Sequence, residues 1–164
     1  MVPHAILSDQ LEEQIGGRRV LAAVFLTFEF DPGFFELQIL PVLLGLPVAH
    51  VRNIRLAQLD DALRDLAGNV AVFYDTNRLV LGSDGSAHLD FRRIPVRHTT
   101  GVFHPKNVFL LLEAREADDE GHRPQSLLLG ALSANLTRNG WWENVEAFHF
   151  EELQEHESTR LKDD

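Results

Sequence analysis

Nine consecutive residues, Val20 to Phe28, carry no charge and are rich in β-forming side chains, and the run closes on Asp31-Pro32-Gly33. Successive strand residues point to opposite faces, so an uncharged run of this length predicts a strand covered on both sides, as in the central sheet of an α/β protein. Asp31 suits a helix N-cap and Pro32 the first turn. The helix is expected from Gly33 to Leu40 or Leu44, with Pro41 limiting or kinking it.

Around this unit the chain alternates. Asp9 to Ile15 reads as a short helical turn closed by Gly16-Gly17. Leu56 to Ala67 has apolar residues at 56, 59, 63 and 66, a helical spacing ended by Gly68-Asn69. Strand signals follow at Val70 to Tyr74, Leu89 to Val96, Lys106 to Leu112, Ser126 to Leu132 and Val145 to Phe150, with Glu113 to Arg123 as an exposed hairpin loop. The expected fold class is α/β: one domain over 1–164, a mixed central sheet with helices on both faces, and an acidic tail at 151–164. A length of 164 residues matches one domain. No repeat or linker divides it.

The chain has no cysteine, which excludes a disulfide framework and thiolate metal sites. Its longest stretch free of Asp, Glu, Lys and Arg, Leu37 to Val51, is interrupted by Pro41, Gly45 and Pro47 and is too short for a membrane span. The first fifteen residues do not read as a signal peptide. A cytoplasmic protein without membrane partners is therefore expected. The net charge of −10 comes from two places, residues 113–120 with five acids against Arg115 and residues 143–164 with eight acids against Arg160 and Lys162. Arg92, Arg93, Arg97 and Lys106 share a stretch with no acid, so a local positive field can coexist with an acidic whole; a solvated strand face is the plainer reading.

Four pieces carry candidate chemistry: His104-Pro105-Lys106, Ser133-Ala134-Asn135, Asn144 and Glu146. Each adjoins an apolar run and so sits at a strand end, where residues two apart share a face. His104 with Lys106, Ser133 with Asn135, and Asn144 with Glu146 are expected to point together. An imidazole attacks phosphorus when one nitrogen is free and the other is held by a carboxylate, for which Glu146 is the candidate. Lys106 and Asn135 would donate to the non-bridging oxygens, and Ser133 would add a hydroxyl. Taken singly, His104 is a structural histidine, Ser133 and Asn135 are turn caps, and Glu146 is a solvated strand residue. Trp141 and Trp142 read as packing rather than as a stacking platform. The other histidines lack metal-ligand spacing and no phosphate-cradling glycine loop occurs, so no metal or cofactor is expected.

Together "FHPKNVFLLLE" (103–113) and "LLLGALSANLTRNGWWENVEAFHF" (127–150) resemble the half-site of the phospholipase D superfamily, an HxK motif followed by a Ser-x-Asn turn, a glycine (here Gly140) and Asn-x-Glu. Residues 26–44 are similar to the opening strand and helix of nuclease-like members. Two positions depart from the pattern: Leu111 stands where the family has Asp, and Leu132 where it has Gly. Loss of that Asp makes the chain similar to the tyrosyl-DNA phosphodiesterase branch. The resemblance implies a metal-independent phosphodiesterase or nuclease acting on nucleic acid through a phosphohistidine. His104, Lys106, Asn135 and Glu146 would be catalytic and Ser133 substrate-binding. It also implies two half-sites, and the sequence holds one, since position 100 after His98 is Thr. The second would come from a homodimer partner or from a longer chain. The alternative is a non-catalytic, phosphate- or nucleic-acid-binding domain of the same fold.

Overall fold

The uncharged run forms β1 (Arg19–Thr27), an inner strand of a six-stranded sheet, in the computed structural model, which describes residues 7–46, 52–66, 68–80 and 89–157. The other strands are β2 (Val70–Asp75), β3 (Arg92–Val96), β4 (Asn107–Glu113), β5 (Gln125–Leu132) and β6 (Phe148–Gln154), in the order β3-β2-β1-β4-β5-β6. Pairing is parallel from β1 through β2 to β3 and antiparallel from β1 through β4 and β5 to β6. The expected mixed α/β sheet is present. The hairpin between β4 and β5 carries exposed residues from Arg115 to Pro124, as its acidity predicts.

Asp31 caps the next helix, its Oδ1 accepting from the Phe34 N–H at 3.1 Å, and Pro32 opens the first turn. That helix runs through 32–44. Pro41 has no N–H to return to Leu37, and the preceding turn (Phe35–Ile39) widens to a π turn in which the Leu40 N–H reaches back to Phe35 O. Pro41 thus widens the helix instead of ending it, and Gly45, at φ 60°, closes it. The helix Arg52–Leu63 and a 3₁₀ turn Arg64–Leu66 bury Leu59, Leu63 and Leu66, three of the four periodic positions.

One buried cluster joins Leu11, Phe34, Ile39, Leu59 and Leu63 of the helices to Val20, Ala23 and Phe25 of β1, Val72 of β2, Val108, Leu110 and Leu112 of β4 and Leu128 of β5. Burying a side chain of this size stabilises the fold by about 1.5–3 kcal/mol. All these strand residues lie on one face. On the other, Val24, Leu26, Phe73, Phe109 and Leu111 are half-buried and Leu127 is exposed. Among the described residues the helices form a single layer, which corrects the expectation of helices on both faces. Two-sided apolarity requires a cover without specifying that it be helical.

Three strand boundaries also move. β3 starts at Arg92 because Glu36, buried in the 32–44 helix, accepts from the Leu89 N–H and from Arg93 Nη2 at 2.9 and 2.8 Å, where Leu89 and Phe91 turn into the core. Asn144 ends a π turn (Asn139–Glu143), so Asn144 and Glu146 lie before β6 and not within it. Glu151–Gln154, expected to open an acidic tail, instead complete β6, where Glu152 is paired with Arg18. No described helix is long and apolar enough to cross a membrane.

Candidate functional site

Every candidate residue lies at the same end of the sheet, where the parallel strands have their carboxyl termini. β1 delivers Phe28 and Glu29 there, β2 ends on Asp75, β4 begins just after Lys106, β5 ends just before Ser133, and Glu146 precedes β6. The acidic hairpin after β4 is at the opposite end, about 20 Å away for a seven-residue strand and some two Debye lengths at physiological salt.

Lys106 is the hub. Its Nζ lies 3.1 Å from Nδ1 and 3.3 Å from Nε2 of His104, so the expected joint projection of the two is observed. The His104 ring rests on Phe28, with centroids 4.6 Å apart, and Arg78 covers Phe28 at 4.8 Å from its centroid. Burial lowers the Lys106 pKa, and Glu146 and Glu29 partly offset this by favouring the charged form. A single ammonium thus stands among an imidazole and two carboxylates.

Asn144 and Glu146 also point together. Glu146 accepts from Ser133 Oγ and, at 3.3 Å, from Asn144 Nδ2. Ser133 Oγ in turn accepts from the Ala147 N–H at 2.9 Å. The expected Glu146–His104 hydrogen bond is not formed, because both carboxylate oxygens are engaged on the Ser133 side of the site. Ser133 and Asn135 do not share a strand face, since β5 ends at Leu132 and both lie in the turn beyond. Asn135 faces the end of β1, where its Oδ1 accepts from the Glu29 N–H at 3.2 Å and its Nδ2 is 3.5 Å from Glu29 Oε2.

The Ser-Ala-Asn-Leu-Thr segment is fixed by its surroundings. Thr27 Oγ1 accepts from the Leu136 N–H at 2.9 Å, and Leu136 O accepts from the Asp31 N–H at 3.0 Å. Thr137 Oγ1 accepts from the Gly140 N–H at 3.2 Å, opening the turn that brings the chain back to Glu146. Trp141 is buried and Trp142 packs edge-on against Phe34, with Nε1 bonded to Ser8, in agreement with a packing role.

Sequence reasoning did not single out Glu29, Phe28, Arg78 or Asp75. Asp75, buried at the end of β2, accepts from the N–H groups of Asn77 and Phe103, each at 3.0 Å. These bonds, Asn77's first, hold its carboxyl below the usual range and tether the loop that carries His104. The basic stretch is divided. Arg93 is committed to Glu36 and Arg92 lies at the far end of β3, leaving Arg97, just beyond β3, at the same end of the sheet as Lys106. No described group of three or more His, Asp or Glu side chains is arranged to hold a metal ion.

In comparisons with known proteins, no family model and no curated protein matches the sequence.

Proposed function

We propose that this protein is a phosphodiesterase of the phospholipase D type, acting on nucleic acid through a phosphohistidine and completed by a second half-site from another copy or from a longer chain. The observation that supports this reading is the convergence of His104, Lys106, Ser133, Asn135 and Glu146 on one sheet end from three separate stretches of sequence. A ring nitrogen of His104 attacks phosphorus and the bond to the leaving oxygen breaks; the histidine of the second half-site protonates that oxygen. Water then cleaves the P–N bond, releasing the phosphate product and free imidazole. Lys106 supplies the positive charge that a metal supplies in other phosphoryl-transfer sites and Asn135 Nδ2 a neutral donor, while the Ser133 hydroxyl, whose one proton goes to Glu146, becomes a second donor when a phosphate oxygen displaces that carboxylate. Arg78, which lies over Phe28, and Arg97, at the same end of the sheet, suit the flanking phosphates of a strand.

In the test, turnover of a phosphodiester persists in excess chelator, and an alkaline denaturing quench during turnover, which spares the acid-labile P–N bond, leaves a phosphoryl adduct on the peptide bearing His104. Activity lost to chelator and restored by a divalent cation sinks the reading. The reaction also carries a pH signature. Lys106 loses its charge as pH rises through its lowered pKa, so the alkaline limb of kcat/KM falls below the ordinary lysine range. In Lys106→Arg the charge persists, and the limb is expected to move to higher pH. An unchanged limb would assign it to another group.

One observation favours the non-catalytic alternative: Glu146 is spent on Ser133 and Asn144 and does not hold His104. Saturable nucleic-acid binding without turnover would be its mark.

A further inference from the structure

The sheet face away from the helices is apolar at its centre and charged at its two edges. Its middle row, read through the strand register, is Arg92 (β3), Ala71 (β2), Val24 (β1), Phe109 (β4), Leu129 (β5) and Glu151 (β6). Four apolar side chains lie between a cation at one edge and an anion at the other, and among the described residues neither charge has an ion-pair partner. An apolar centre within a polar rim is the anatomy of a protein–protein contact. Six strands of about seven residues present roughly 700 Å², close to the ~800 Å² that each partner contributes to a standard interface.

We propose that a second copy of this chain covers this face, sheet against sheet, with the two-fold axis parallel to the strands and passing between β1 and β4. Such an axis exchanges the left and right edges of the sheet while keeping strand direction. Arg92 of each copy then stands over Glu151 of the other, forming two equivalent ion pairs. An axis across the strands would send the two His104 groups to opposite ends. The axis along them keeps both at one end, about 10 Å apart, the spacing of stacked sheets. The preference for this axis rests partly on the phosphodiesterase reading, whereas the charged row supports it independently.

The test uses two exposed substitutions on opposite edges of the sheet, about 24 Å apart within one copy and too distant to interact there. Arg92→Glu and Glu151→Arg, each prepared alone, place like charges opposite one another twice per dimer. Each is expected to dissociate about tenfold or more at a concentration where the wild type sediments as a dimer. Mixing the two variants restores both pairs, so the equimolar mixture is expected to sediment as a heterodimer. A monomeric wild type, or variants that dimerise unchanged, or a mixture that stays dissociated, overturns the proposal. Phosphodiester turnover is assayed on the same samples. Restored dimers that hydrolyse nothing support the interface and count against the enzymatic reading alone, while turnover by variants that dimerise unchanged does the reverse.

Discussion

Replacing His104 by alanine is expected to lower phosphodiester turnover by about 10⁴-fold or more while leaving the thermal unfolding curve within about 0.5 kcal/mol of the parent. The two halves of this expectation have separate causes. His104 is exposed, its neighbours are Lys106 and Phe28, and it contributes little to the core. The proposed covalent route depends on it completely, because the nucleophile of that route is its ring nitrogen. Turnover within tenfold of wild type in a well-folded His104→Ala protein would remove the imidazole from the mechanism. A loss of turnover accompanied by unfolding would contradict the exposure described above, and circular dichroism separates the two cases.

Gly140→Ala is expected to damage both stability and activity. A Cβ at this position falls well inside van der Waals contact of the Asn135 carbonyl oxygen and lies 3.0 Å from the Asn135 nitrogen. Both are backbone atoms with no rotamer to yield, so the 135–140 turn itself must move. Overpacking of this kind costs about 1–3 kcal/mol. Asn135 carries the displacement to the site, where a misplacement of about 1 Å costs on the order of a hundredfold in rate. A scanning-calorimetry midpoint and kcat/KM measured together test this, since the two losses are expected to appear in the same variant. An unchanged melting point would mean that the turn relaxes elsewhere.

Residues with a local physical signature were legible in the sequence. Asp31-Pro32, the spacing of Leu59, Leu63 and Leu66, and the β-rich runs of β1, β2, β4 and β5 encode their own geometry. The Asn144–Glu146 segment was misplaced because a π turn and a following strand offer the same mixture of polar and aromatic residues. Glu29 escaped notice because a single acid after an apolar strand carries no spacing signal; its partner Asn135 is more than a hundred residues away. The second helix layer was inferred from a correct premise. The apolar character of Val24, Phe109 and Leu129 favours a covered second sheet face, but nothing in one chain's periodicity distinguishes a helix from another sheet as the cover. The orientation of Glu146 is a further case, since spacing brings a carboxylate to the site without choosing among Ser133, Asn144 and His104 as its partner.

The acid-rich hairpin at the far end of the sheet has a consequence for encounter kinetics. With four net negative charges held distant from Lys106, Arg78 and Arg97, the molecule is an electric dipole whose less negative pole is the one that bears the imidazole. A polyanion drifting past exerts a torque on it and is met by the less negative end first, so the Lys106 end faces a polyanion that the molecule as a whole repels. Added salt would weaken that alignment and the overall repulsion together, leaving association less salt-sensitive than for a uniformly basic binder.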